Sequence, residues 1–283
     1  LIPPWKNILA LTSLGSLMPK SEQDTFAAEV FGVLANKYKG YLPEELVHAA
    51  LLRQPRVKTT PYDPERVPTV WVGIDPASHS ISDLGIVALM GYLGRIYIVG
   101  VANISAARCE MVQIQAALSM FLQRLRKHPW VHEMSPLIPV VECNNNEVYA
   151  MSLIKVFERH GPMWQPFTES RFKKHITPGV GVWTTESTKA ASLQVAYTLM
   201  LEKRLSVASE VVVADGTAWD ARAKPAAPVP LLKLMADQLT AFADDERTGK
   251  ITGKIDGCQD DVGMAFLIVV YWRLAIMHAD PSV

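Results

Sequence analysis

Four carboxylates stand where predicted strands end and a predicted helix begins, and together they could bind divalent metal ions. Asp75 and Glu142 each follow an apolar run, whereas Asp260 and Asp261 precede a long one. Carboxylate oxygens are hard ligands that suit Mg²⁺ or Mn²⁺. Two such ions about 3.5 to 4 Å apart can bind the attacking and leaving oxygens of a phosphodiester during its hydrolysis. We therefore expect two Mg²⁺ or Mn²⁺ ions as cofactors of these acids.

The first two acids lie at predicted strand ends. Residues 70–74 form an apolar run, and Pro76 both favours an extended conformation in the residue before it and lacks a donor for a sheet. Two further β-like runs, 84–90 and 95–102, are separated by a glycine-containing turn, which predicts a three-stranded antiparallel meander. The run 137–141 repeats the pattern of an apolar strand followed by a carboxylate.

The last two acids lie where a buried helix is predicted to begin. Residues 262–276 are almost wholly apolar, and Asp260 and Asp261 come directly before them. Asp is also a preferred residue at a helix N-cap and in the first turn, so this pair could serve the helix alone. The two strand-end acids favour metal binding over capping.

Composition fits a globular protein with a sizeable core. The chain has 283 residues, 49% of them hydrophobic, and its net charge is zero. Its three cysteines form no Cys-x-x-Cys pair, which argues against a zinc ribbon and a disulfide framework and fits an intracellular compartment. The most apolar stretch is interrupted by Arg273 and is shorter than the roughly 20 residues of a membrane span. No membrane partner is expected.

The order of these features resembles the ribonuclease H-like nuclease domain of viral terminase large subunits, in particular the herpesvirus branch. Four motifs carry the resemblance: 74–77 (IDPA), 141–145 (VECNN), 181–189 (GVWTTESTK) and 260–261 (DD). It covers residues 69–283 as an ordered series, which is more specific than any single motif.

This resemblance implies an α/β fold with a ribonuclease H-like mixed sheet, in which an antiparallel meander and parallel strands are flanked by helices. It also implies a metal-dependent endonuclease of low sequence specificity that cleaves concatemeric viral DNA during genome packaging, in the host nucleus. Asp75 would bridge two metal ions, with Glu142 on one and Asp261, joined by Asp260, on the other. Asp83 stands where phage terminases often carry an auxiliary acid and is a candidate additional ligand, with a solvated loop acid as the alternative.

A complete terminase large subunit also contains an ATP-driven motor, yet the chain has no phosphate-binding loop motif and begins at Leu1. We infer a C-terminal fragment. Its expected partners are double-stranded DNA, the missing ATPase domain, other terminase subunits and the portal. The proline-rich stretch 59–68 reads as a linker, so residues 1–68 are predicted to be a helical connector and 69–283 the nuclease domain.

Two clusters of cations are candidates for contact with DNA phosphates. Arg171, Lys173 and Lys174 lie within five residues, and Lys189 is nearby in sequence. A solvated surface is the alternative for this cluster. The second cluster, 124–128, ends a predicted helix, where cations also interact favourably with the helix dipole, and we favour that role. Because the net charge is zero, local clusters must supply any affinity for DNA.

Two other functional classes stay open. A junction resolvase or a transposase-type nuclease of the ribonuclease H-like superfamily shares the acidic strand ends, and a comparison of branched with linear duplexes separates these enzymes. A non-catalytic scaffold, in which the acids are caps and turn residues, predicts no thermal stabilisation by Mn²⁺. Fold alone does not decide among them.

Overall fold

The computed structural model describes residues 40–62, 67–76, 83–105, 110–144, 146–163, 176–177, 181–214, 228–245, 248–254 and 259–279. Contacts divide the chain into two compact units, Leu1–Tyr41 and Leu42–Val283. Almost all described residues belong to the second unit. The predicted division at residue 68 stays a prediction.

The second unit contains nine strands and six α-helices within the described ranges. The strands are β1 Val70–Asp75, β2 Asp83–Tyr92, β3 Arg95–Ser105, β4 Leu137–Val141, β5 Ile176–Thr177, β6 Gly181–Val182, β7 Leu205–Ala214, β8 Ala243–Asp244 and β9 Ile251–Thr252. The helices are α1 Glu44–His48, which continues into a π-helical turn over Ala49–Arg53, then α2 Met111–Arg126, α3 Glu147–Phe157, α4 Glu186–Leu201, α5 Pro228–Thr240 and α6 Asp261–Ala279.

Five strands form one mixed sheet in the order β4-β1-β2-β3-β7. The antiparallel pairs β1–β2 and β2–β3 make the meander, and β4 and β7 add to its two sides in parallel with β1 and β3. The predicted fold class, a ribonuclease H-like mixed sheet flanked by helices, is confirmed. Because β1, β3, β4 and β7 run in one direction, they all end at the same edge of the sheet.

Both faces of the sheet are covered, which explains why the strands read as nearly continuous apolar runs. Side chains alternate between the faces. Trp71 packs into a core with residues of α1, α4, α5 and α6, whereas Val70, Val72 and Ile74 pack into a second core with residues of α2 and α3. Within the described ranges, no helix combines the length and the apolar character that a membrane crossing requires.

The structure corrects two element boundaries. The sequence predicts a helix over 190–205, but α4 begins at Glu186, because Thr185 and Thr188 form a reciprocal capping box ahead of it. It ends at Leu201, and β7 begins at Leu205. The apolar run 210–214, which predicts a strand, is only the second half of β7. Both capping residues lie within the motif 181–189.

Candidate metal centre

Asp75 and Glu142 are brought together because their strands are parallel neighbours. Ile74 pairs with Val141 in register. The next residue in each strand, Asp75 or Glu142, therefore lies at the same edge of the sheet. The Glu142 amide donates to the Ile74 carbonyl at 3.0 Å. The carboxyl groups of Asp75 and Glu142 therefore lie close enough for each to affect the pKa of the other.

The start of α6 reaches the same edge because two glycines let the helix lie against the strands. Gly73 of β1 faces α6, and a Cβ at this position would lie 2.3 Å from the Ala265 carbonyl oxygen. Gly85, opposite Asp75 in the register of β1 and β2, would place a Cβ 2.1 Å from the Asp261 carbonyl oxygen. The backbone approach is therefore one that no larger residue at Gly85 would permit.

Three carboxylates converge as a result. One ligand oxygen each from Asp75, Asp260 and Asp261 lies within 4.8 Å of the others, and all three residues are buried. The Asp260 carboxylate accepts from the Gly253 amide at 3.3 Å, and the Asp261 carboxylate accepts from the Asp83 amide at 3.2 Å. Because both donors belong to segments outside α6, these carboxylates do more than cap the helix.

Burial among like charges raises the pKa values of these acids. For Asp75 desolvation is the largest cause, followed by the negative charges of Glu142, Asp261 and Asp260, and together they hold its pKa well above the ordinary value. Desolvation also raises the pKa of Glu142. Desolvation and then the charge of Asp260 raise the pKa of Asp261 to about 7. The site therefore contains more negative charge than its surroundings balance.

Two lysines supply part of the missing positive charge. The Lys254 ammonium lies 3.5 Å from Asp260 Oδ1, and although burial works in the opposite direction, the charges of Asp260, Asp261 and Asp75 raise the pKa of Lys254. Lys189 lowers the pKa of Glu142 through its charge, against the larger effect of desolvation. Sequence inspection missed Lys254, because a lysine in a loop carries no distinctive pattern.

The donor set fits a divalent cation. Its ligands are carboxylate oxygens, which hard cations prefer. Apart from the Lys254 ammonium at 3.5 Å, the buried Asp260 Oδ1 has no hydrogen-bond partner among the described residues, so a lone pair remains for a metal ion. The raised pKa values of Asp75, Glu142 and Asp261 indicate that a cation is needed to ionise the whole group.

Glu142 also has a neighbour that sequence inspection did not single out. The Thr184 hydroxyl donates to Glu142 Oε1. Thr184 is in turn bound to the Asn144 side chain, which accepts from the Thr184 amide at 2.8 Å. Thr184 belongs to the motif 181–189, which was the available signal, but the motif did not indicate which of its residues contacts an acid.

The other predicted site residues are placed as follows. Asp83 lies beside Asp261, with its own carboxylate bound by Asn103 Nδ2 at 2.9 Å, so it is near the three converging carboxylates without joining them. The Lys189 ammonium is 3.3 Å from Glu186 Oε1 and 3.3 Å from the Ile251 carbonyl oxygen. The predicted DNA-contacting residues Arg171, Lys173 and Lys174 lie outside the described residues.

The second cationic cluster has a largely structural role. Arg126 donates to four backbone carbonyls, those of Glu133, Ser135, His160 and Pro162. It thereby ties the end of α2 to the segments that flank β4. This agrees with the preference for a role at the helix end over DNA contact.

We predict that the metal-free protein loses stability as the pH rises from about 4 to about 7. Over this range the folded state holds protons on Asp75, Glu142 and Asp261 that the unfolded chain has released. Their contribution is complete below the unfolded pKa of about 4 and is lost as the pH passes the folded values, with each pKa unit worth about 1.4 kcal/mol. Urea unfolding in EDTA at about pH 5 and about pH 8 measures the difference; equal free energies would contradict the raised pKa values.

Solved terminase nuclease domains have a fold similar to that of this chain. No protein-family model matches the sequence, and no curated protein does. The human cytomegalovirus terminase nuclease domain, soaked with Mn and bound to an inhibitor, has a TM-score of 0.55 and 17% identity, and the match covers 82% of this chain and 94% of that domain. The Mn-soaked domain without inhibitor has a TM-score of 0.54 and 15% identity, with coverage of 82% and 94%. The predicted resemblance is thereby confirmed: the chain has the ribonuclease H-like fold of a viral terminase nuclease domain.

Proposed function

We propose that this protein is a metal-dependent DNA endonuclease that cleaves concatemeric viral DNA during genome packaging. The single observation that carries the proposal is the convergence of Asp75, Asp260 and Asp261 within 4.8 Å, with Glu142 at the neighbouring strand end. Residues from two strand ends and a helix start, far apart in sequence, meet in one buried acidic site. The terminase fold adds weight, because the similar cytomegalovirus domain was soaked with Mn.

Asp75, Glu142, Asp260 and Asp261 are the residues that would hold two Mg²⁺ or Mn²⁺ ions. Such ions supply Lewis acidity and a bound water of lowered pKa, so the protein needs no nucleophile of its own. Asp83 would join these ligands only if its carboxylate gave up the hydrogen bond that it accepts from Asn103 Nδ2. The fold contributes by fixing the spacing and orientation of these acids.

Asp75 is central to the arrangement. It lies close to Glu142, Asp260 and Asp261, so it would be the residue best placed to hold both cations. For all four acids to bind cations, Asp75 and Glu142 must be ionised, although their pKa values are raised. Lys254 is exposed beside Asp260, so it can exchange its carboxylate contact for one with a substrate phosphate.

We also propose that Arg171, Lys173, Lys174 and Lys189 contact the DNA backbone, without reading bases. Charge-neutral substitutions at Lys173 and Lys174 together should weaken DNA binding and reduce the slope of log affinity against log salt by up to about 2. Fluorescence anisotropy over a salt series measures the slope. Lys155→Gln, at an exposed position in the last turn of α3, is the matched control. An unchanged slope would indicate that these cations form only a solvated surface.

The biological setting follows from the same proposal. Residues 1–68 act as a connector and 69–283 as the nuclease domain of a terminase large subunit of the herpesvirus branch. The ATPase domain, other terminase subunits and the portal are its partners, and the host nucleus is its place of action. Because an acidic site repels phosphates, the partners are expected to hold the DNA in place.

Plasmid cleavage tests the proposal. The protein should nick supercoiled DNA in Mn²⁺, lose this activity in EDTA, and cut linear duplexes as readily as branched ones. Mn²⁺ at 100 times its dissociation constant should stabilise the fold by about 2.7 kcal/mol. Absence of both cleavage and stabilisation would leave a scaffold in which the acids are caps, and a strong preference for branched DNA would favour a junction resolvase.

A further inference from the structure

Thr184 is a buried residue whose hydroxyl serves the acidic site and not the helix that follows it. Only 8% of the residue is exposed. Its hydroxyl donates to Glu142 Oε1. The next residue, Thr185, is the N-cap of α4 and accepts from the Thr188 amide. The two adjacent threonines thus have separate tasks, one at the carboxylate and one at the helix start.

The direction of the Thr184 hydroxyl proton follows from Asn144. A backbone amide can only donate, so the Asn144 atom that receives the Thr184 N–H at 2.8 Å must be the side-chain oxygen. The Asn144 NH₂ group therefore faces the Thr184 hydroxyl, to which it donates at 2.9 Å, and the Thr184 carbonyl. Since the hydroxyl accepts from Asn144, its own proton is free to point at Glu142.

Short strand β6 holds Thr184 in this place. Val182 forms an isolated parallel bridge with Glu142, and its carbonyl accepts from the Cys143 amide at 2.9 Å. Gly181 has a φ of +130°, and a Cβ there would lie 2.3 Å from the Val141 carbonyl oxygen. Because only glycine permits this approach, the segment that carries Thr184 is fixed directly to the end of β4.

We propose that Thr184 is a positioning residue, whose hydroxyl, aimed by Asn144, fixes the Glu142 carboxylate in the orientation that binds a divalent cation. Carboxylates that ligate metals are commonly held by outer hydrogen-bond donors, and loss of such a donor typically costs roughly 10- to 100-fold in metal affinity or activity. The inference rests on the proposed function, since it assigns a task to Thr184 only if Glu142 binds metal.

The test compares two variants at one position. Thr184→Val removes the hydroxyl but keeps the shape, whereas Thr184→Ser keeps the hydroxyl. Free Mn²⁺ counted by electron paramagnetic resonance gives the dissociation constant, and thermal unfolding in EDTA reports the fold. We expect Thr184→Val to weaken Mn²⁺ binding roughly 10- to 100-fold and Thr184→Ser to restore most of it. Cleavage at saturating Mn²⁺ should recover more fully than cleavage at low Mn²⁺.

The neighbouring Thr185→Val is the matched control, because it removes a helix cap and should lower the unfolding temperature while leaving Mn²⁺ affinity unchanged. Asn144→Ala is a second variant, expected to weaken Mn²⁺ binding in the same direction, and the double variant with Thr184→Val should be no weaker than Thr184→Val alone. Wild-type-like Mn²⁺ affinity in folded Thr184→Val would overturn the inference while leaving the proposed nuclease intact. Absence of Mn²⁺ binding by the wild-type protein would instead overturn both.

Discussion

An Asp75→Asn variant is expected to lose DNA cleavage by about 10³-fold or more while its fold becomes more stable in the absence of metal. Removing a central ligand forfeits several kcal/mol of transition-state stabilisation, and each 1.4 kcal/mol is tenfold in rate. The stability gain arises because Asp75 is buried among three other acids, which holds its pKa well above the ordinary value. An amide can also donate to Glu142 without taking up a proton.

Cleavage of supercoiled plasmid in Mn²⁺ and urea unfolding in EDTA at about pH 8 measure the two effects. The matched control is Asp237→Asn, the same substitution at an exposed acid of α5, which should change neither. Opposite signs for activity and stability are the diagnostic result, because a residue needed only for folding would lower both. Substantial residual cutting by Asp75→Asn removes this residue from the proposed catalytic set.

A Gly85→Ala variant is expected to weaken both the fold and the site, although Gly85 bears no chemical group. Its new Cβ would lie 2.1 Å from the Asp261 carbonyl oxygen and 2.7 Å from the Val262 amide nitrogen, so the start of α6 must retreat. Overpacking of this kind costs about 1–3 kcal/mol. A displacement of roughly 1 Å in the acids can cost about 10²-fold in rate.

Gly100→Ala supplies the control for Gly85→Ala. Its Cβ would lie 2.8 Å from Phe121 Cζ, on the opposite face of the sheet and against a side chain, so it should lower stability without moving the acids. Guanidinium unfolding and cleavage rates at matched folded fractions separate the effects. Equal cleavage by the two glycine variants would contradict the claim that close docking of α6 sets the geometry of Asp261.

Some features of the site could be predicted because they depend on local pattern. Asp75 and Glu142 could be recognised since each follows an apolar strand, and Asp260 and Asp261 since they precede an apolar helix. The residues that support these acids could not be predicted in this way. Lys254 and Thr184 reach the acids through contacts that span 6 and 42 positions of the chain, and neither has a residue type that is unusual for a loop.

The amino-acid sequence by itself determined the types and order of the elements, the acids at their ends and the resemblance to terminase nuclease domains, because strand and helix periodicity, proline and chain order are local properties. Only the tertiary structure decided that the acids meet. That outcome depends on the parallel register of β1 and β4 and on the close packing of α6 against Gly73 and Gly85, which are distances between backbones that are remote in sequence. Burial then set the electrostatics, since the same carboxylates would keep ordinary pKa values in water.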